Sequence, residues 1–217
     1  MNAIIVKKLQ FDTLFPDPDT VSDKLDKIRI RNKIDKINWN NYPYKPDVSF
    51  SIGYTENEIL IKYYITENCF KAEKTDTNQE VYEDSCVEFF VSPGDDGIYY
   101  NIEFNGIGTC LMGAGTGRSD RKRLNPDVIA SIRRKTSAGN KPVKEKEEIF
   151  SWTLTVAVPF KVFVYHNIND PEGRTFRANF YKCGDKLNVP HYLTWNPVDT
   201  IKPDFHRPEY FRRLTFV

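Results

Sequence analysis

Apolar and polar residues alternate along much of this chain. Val48, Phe50, Ile52 and Tyr54 are separated by small or polar residues, and Ile59, Ile61, Tyr63 and Ile65 alternate with Leu60, Lys62, Tyr64 and Thr66. A period of two puts successive side chains on opposite faces of a β-strand. With Thr55-Glu56-Asn57-Glu58 between them, these two runs read as a hairpin. Further strands are predicted over 85–91 and 98–105, split by the turn chemistry of Ser92-Pro93-Gly94-Asp95-Asp96-Gly97. Others are predicted over 128–134, 150–158, 175–182, 191–195 and 211–217, with an edge strand in 1–10. Short helices are expected at 20–28 and after Pro159-Phe160. Residues 70–82 read as a polar loop and Gly106 to Gly117 as a flexible one, since no Gly-Lys-Ser/Thr follows its glycines. About nine short strands with few helical patterns predict an all-β antiparallel sandwich, one domain over 1–217.

Strand parity then sorts the side chains. Val87, Phe89, Val91, Tyr100, Ile102, Phe104, Phe176, Ala178, Phe180, Ile59, Ile61, Tyr63 and Ile65 form an apolar set, expected between the sheets. The opposite set is Lys62, Tyr64, Glu88, Asn101, Glu103, Asn105, Arg177, Asn179 and Tyr181. A solvated sheet face explains any one of these residues. As a set they are rich in amides, with a guanidinium, carboxylates and aromatic rings. Such groups supply the paired donors and acceptors that vicinal hydroxyls need, and platforms for the C–H face of a sugar ring. Trp39, Trp152 and Trp195 are candidates for that platform.

Composition narrows the picture. The 217 residues carry a net charge of +1, so the chain as a whole is no polyanion binder. Residues 118–146 hold ten Lys or Arg against three Asp or Glu. No aromatic lies among them to stack bases, so a solvated segment is expected and no nucleic acid. Cys69, Cys86, Cys110 and Cys183 form no Cys-x-x-Cys pair, and His166, His191 and His206 follow no ligand spacing. Free thiols and no zinc site are therefore expected. The apolar run in Met-Asn-Ala-Ile-Ile-Val-Lys-Lys is too short for a signal segment, and no stretch reaches membrane-span length. The expectation is a cytoplasmic chain by default, exported if its N-terminus is trimmed, with no membrane partner, as a monomer.

The order of certain segments carries a resemblance. These are Asp84-Ser85-Cys86-Val87-Glu88-Phe89-Phe90, Tyr100-Asn101-Ile102-Glu103-Phe104-Asn105, Trp152-Thr153-Leu154-Thr155-Val156, Arg177-Ala178-Asn179-Phe180-Tyr181, and Trp195 with Phe205-His206-Arg207-Pro208-Glu209-Tyr210-Phe211. From about residue 39 onward the chain resembles the family 9 carbohydrate-binding modules, above all the stand-alone proteins of this type in Bacteroidetes. The resemblance implies a jelly-roll-like β-sandwich related to the DOMON fold. It also implies a carbohydrate ligand held by paired tryptophans and polar residues, with Glu88, Asn105, Arg177 and Asn179 at the matching polar positions. Structural calcium is implied as well, for which Asp17, Asp19, Asp84, Asp95 and Asp96 offer oxygen ligands. No other cofactor is expected, and haem ligation is not, since Met1 and Met112 are the only methionines.

The functional expectation is non-catalytic binding of an oligosaccharide or polysaccharide chain end on the polar face. The expected site is Glu88, Asn105, Arg177, Asn179, Tyr181, Trp195, Tyr64 and Lys62, with Arg177 held by Glu88 and the sugar stacked on Trp195. Two alternatives stand beside it. One is a glycoside hydrolase using Glu88 and Glu103, against which a nearby Arg177 would keep both carboxylates ionised. The other is a structural or partner-binding sandwich.

Overall fold

The computed structural model describes residues 3–217; Met1 and Asn2 lie outside the described residues. Two sheets pack face to face. The first runs Lys122–Arg123, Cys110–Gly115, Tyr99–Asn105, Cys86–Ser92, Thr175–Cys183, Arg212–Phe216 and Ile4–Lys8. The second runs Ile4–Lys8, Asp47–Tyr54, Glu58–Glu67, Phe150–Pro159 and Arg133–Thr136. The N-terminal strand is therefore not an edge. Ile4, Ile5 and Val6 pair in parallel with Leu214, Thr215 and Phe216, and Lys7 and Lys8 pair in parallel with Gly53 and Tyr54. One strand crosses from sheet to sheet and closes the sandwich along that side.

The predicted parity holds. Every member of the apolar set lies in one buried cluster between the sheets. At its centre Phe180 stacks on Phe50 at 3.8 Å between ring centroids and on Phe89 at 4.9 Å.

Three local expectations change. Gly106 to Gly117 is not a free loop, because Cys110–Gly115 is a strand flanked on both sides. A Cβ at Gly113 would sit 2.9 Å from Asn101 Oδ1, and one at Gly115 would sit 2.5 Å from the Arg121 Cα. The glycines thus serve close approach within a sheet, not flexibility. The strand expected over 128–134 begins as a helix, Pro126–Ala130, before strand Arg133–Thr136. Asn125 accepts from the Asp127 N–H and proline opens the first turn, a start signal that overrides the β-branched residues behind it. The polar loop 70–82 contains strand Phe70–Ala72, paired with Val143–Lys146.

Helix Pro18–Asp26 matches the expected short helix. Asp17 caps it by accepting from Asp19 and Thr20 N–H, and its Val21 and Leu25 cover Leu60 and Ala157 on the outer face of the second sheet.

The inward parity of both sheets ends in charge. Glu67 follows Ile65 on the inner face of one sheet, and Lys182 follows Phe180 on the other. Lys182 Nζ lies 2.8 Å from Glu67 Oε2, 2.7 Å from His191 Nε2 and 2.9 Å from the Cys183 carbonyl, and the Trp152 indole donates to Glu67 Oε1 at 2.7 Å. The ammonium has only donors, so His191 Nε2 accepts and the ring is neutral; burial and Lys182 push its pKa well down. Removing one partner strands the other charge in the core. Lys182→Ala is expected to destabilise the fold by about 3–5 kcal/mol in urea unfolding, and Lys182→Met combined with Glu67→Gln by distinctly less.

Candidate functional site

The outward parity of the first sheet carries Cys86, Glu88 and Phe90 on one strand, Tyr99, Asn101 and Glu103 on the next, and Tyr181 and Cys183 on the third. This face is not open to solvent. Phe90, Tyr99, Leu111 and Tyr181 join Trp39, Val81, Val198, Phe205 and Phe211 in a second apolar cluster. Phe205 lies flat on Tyr181, with centroids 4.2 Å apart and planes 10° apart. The segment around Trp39 and Tyr42 and the segment after Trp195 are folded down over the face by these aromatics. Phe90, Tyr99 and Leu111 are what the polar parity set passed over: they share its face, and they make it a second core.

Where this cover stops, a cleft of about 510 Å³ of empty space, partly open to solvent, reaches the sheet. Glu88, Glu103 and Cys183 lie at the sheet, with Tyr82, Tyr192, Arg118, Arg121, Asp185, Asp204 and His206 around them. Glu88 and Glu103 are direct cross-strand partners, each only 2% exposed. Glu88 accepts from the Cys183 thiol at 3.1 Å. Glu103 Oε1 accepts from Asn101 at 2.8 Å and lies 3.7 Å from Arg121, while its Oε2 is buried without a hydrogen-bond partner. His206 Nδ1 is 2.9 Å from the Tyr99 hydroxyl and 3.4 Å from Arg121 Nη1. A guanidinium can only donate, so Nδ1 is the acceptor and Nε2 carries the proton.

Of the eight residues expected at the site, Glu88 lines this cleft. Tyr181 lies beneath its rim, donating to the Phe205 carbonyl. The other six are elsewhere. Lys62 and Tyr64 are on the second sheet, both bound to Asp26 of the helix, because outward parity recurs on both sheets and does not say which. Asn105 holds turns together through the Lys74 carbonyl, Asp84 and the Thr109 N–H. Asn179 is locked to the backbone of Asn196. Arg177 is exposed and reaches the carbonyls of Glu209 and Phe211, so no Glu88–Arg177 pair forms. Opposite Glu88 in the ladder stands Tyr181, while Arg177 faces Ser92. Trp195 packs edge-on to Phe50 and Phe180 in the inter-sheet core, and Trp39 and Trp152 are buried. Tyr82 and Tyr192, both partly buried, line the cleft together with the buried Phe205.

The basic segment is largely neutralised. Arg118 approaches Asp204, Arg123 approaches Glu80, Arg133 forks onto Glu58 and Lys135 onto Asp19. Its contribution to the site is Arg118 and Arg121, a signal that composition hinted at and only the fold located. The five aspartates considered for calcium do not assemble among the described residues. Asp17 caps a helix, Asp19 pairs with Lys135, Asp96 accepts from Ile98, and Asp84 Oδ2 is met by three donors. Asp84 Oδ1 is buried without a hydrogen-bond partner.

Residues 19–216 match carbohydrate-binding family 9. The chain belongs to that family. It is 38% identical to a Bacteroides uniformis protein provisionally described as carbohydrate-binding, with a TM-score of 0.95 and 99% of each chain covered. More distant in sequence is a family 9 module of Caldicellulosiruptor kristjanssonii. Its cellotriose complex is 11% identical, with a TM-score of 0.60 over 99% of this chain and 93% of that one. Its glucose complex is 10% identical, at 0.58 over 100% and 96%. Among curated proteins none matches. The sandwich expected from the alternation is thus the fold of this carbohydrate-binding family, and non-catalytic carbohydrate binding is the function that membership carries.

The cleft holds its acids in an uncommon state. Burial, reinforced by the neighbouring Glu103, pushes the Glu88 carboxyl well above the usual range. Burial and Glu103 likewise raise Asp185 to about 7, and burial with Arg121, Arg118 and Arg123 pushes His206 down to about 2. The cleft therefore presents a neutral Glu88 and a neutral imidazole at pH 7. A carboxyl raised in the folded state favours folding below its unfolded pKa and loses that contribution as pH rises through its folded value. For Asp185 the window runs from the ordinary aspartate range to about pH 7. The melting temperature of Asp185→Asn minus that of the wild type is expected to be lowest at acid pH, to rise through this window and to level off above it.

Proposed function

We propose that this protein binds its sugar in the cleft between the Glu88–Glu103 floor and Tyr82 and Tyr192. The observation that carries the reading is Glu103 Oε2. A buried carboxylate oxygen without a donor is costly, and Glu103 belongs to the lining of a cleft that a ligand rich in hydroxyl donors could enter. Neutral Glu88 and Nε2–H of His206 add donors, and Arg118, Arg121 and Asp185 add charged partners at the mouth. Tyr82 and Tyr192 supply the aromatic faces that the tryptophans, all packed elsewhere, do not. The ligand probes that suit the reading are those of the structural relatives, glucose and cellotriose.

Hydrolysis is disfavoured on a different ground from the one the sequence offered. Arg177 does not ionise the pair, and burial with Glu103 alongside shifts Glu88 toward its protonated form. Glycosidases, however, place two carboxyl groups on either side of the scissile bond. Here both project from adjacent strands onto one floor.

Glu103→Gln is expected to weaken cellotriose binding in calorimetry by about 1.5–3 kcal/mol, the range for a hydrogen bond to a charged group. Tyr192→Ala should weaken it too, while Arg177→Ala leaves affinity unchanged. Loss in Arg177→Ala with full retention in Glu103→Gln would move the site to the far end of the sheet. Sugar release on prolonged incubation would establish hydrolysis instead.

A further inference from the structure

Beneath the cleft lie two thiols that the sugar reading does not use, beside Glu88, which it does. Cys86 and Cys183 are cross-strand partners in the ladder between Cys86–Ser92 and Thr175–Cys183, and both project from the same face. Glu88 stands two residues after Cys86, on the same side. One ligand atom from each of Cys86, Glu88 and Cys183 lies within 4.8 Å of the others. All three side chains are at most 2% exposed. The remaining cysteines do not share this setting. Cys110 packs among apolar side chains between the sheets, and Cys69 is buried outside the cleft lining.

We propose that Cys86, Cys183 and Glu88 form a binding site for a thiophilic divalent cation of the zinc class. Ligands about 2.3 Å from a tetrahedral zinc sit roughly 3.8 Å from one another, so the observed spacing needs a contraction of less than about 1 Å. Two thiolates and a carboxylate are a donor set this ion accepts, and a harder ion such as calcium is excluded by the sulfurs. The ladder fixes the two cysteines on paired backbones, so the site exists before any metal arrives. Cys183 and Glu88 line the cleft, which gives an entry path. The fourth position faces that cleft, where Asp185, also close to the Cys183 thiol, is available. Binding replaces the two thiol protons and the Glu88 proton, which leave through the same opening, and the resulting negative charge faces Arg121. The proposal rests on this floor geometry and not on the sugar reading, although both draw on Glu88.

The test is titration of the reduced, full-length protein with Co²⁺ as the probe, followed by displacement with Zn²⁺. One equivalent of Co²⁺ is expected to give thiolate-to-metal absorption that zinc abolishes. Cys183→Ser and Cys86→Ser should each weaken metal affinity more than about 100-fold, beyond the loss typical of a merely supporting residue, while Cys69→Ala keeps it. X-ray absorption on the zinc-loaded wild type provides a reading that no variant's folding can disturb, and two sulfur neighbours at about 2.3 Å are expected. No charge-transfer absorption, absorption that survives in Cys183→Ser, or a Cys86–Cys183 disulfide that persists under reductant would each overturn the site. A glycan panel without binding, in metal-free and metal-loaded protein alike, would sink the sugar reading and leave the metal site standing.

Discussion

The stack of Phe50, Phe180 and Phe89 sets the rest of this molecule. It joins the two sheets at their centre, with Phe180 in contact with a ring from each side. Side chains on a strand alternate strictly, so fixing Phe180 and Phe89 inward fixes Tyr181, Cys183, Cys86 and Glu88 outward. A slip of one residue in Cys86–Ser92 would drive Glu88 into the inter-sheet core and push Phe89 to the cleft, and one in Thr175–Cys183 would exchange Phe180 with Tyr181 in the same way. The position of the carboxyl pair is therefore decided by aromatic packing on the other side of the sheet.

The outward face shows how a polar surface becomes a site. Glu88, Glu103 and Asn101 would be unremarkable in water. Their burial comes from Phe90, Tyr99 and Tyr181, which draw down Phe205, Trp39 and Val198 as a lid. Under that lid the dielectric falls, Glu88 is held neutral, and Glu103 keeps an oxygen without a partner. The same aromatic cover also spares the protein an open polar sheet with no function. Chemistry is concentrated in the one place where the cover is incomplete.

At the opposite end of the inward parity, Glu67 and Lys182 interrupt the apolar core with a fully buried ion pair. Lys182 also donates to His191 and to the Cys183 carbonyl, and Trp152 donates to Glu67. A pair of this kind contributes less to net stability than to uniqueness of register, since any other pairing would leave one charge alone. It stands one residue from Cys183, so core and cleft are specified by neighbouring positions on a single strand.

The alternation in 48–54, 59–65, 85–91, 98–105 and 175–182 was enough to establish the sandwich and its core, because a period of two needs no partner to be read. Turn chemistry at Ser92–Gly97 was equally legible, being local. Of the residues around the cleft, the alternation named Glu88, Glu103 and Tyr181. Parity names a face but not the sheet that bears it, which is why Lys62 and Tyr64 seemed companions of Glu88 when they lie on the other sheet. Nor does it give position along a strand: Arg177 shares a face with Glu88 yet faces Ser92. Tyr82, Arg121 and His206 come from segments with no period at all, Tyr192 from a strand too short to show which face it serves, and Cys86 and Cys183 meet only through strand pairing. Those arrangements depend on long-range register and on loops folded over a sheet. Such contacts join residues far apart in sequence, and they became visible only in the tertiary structure.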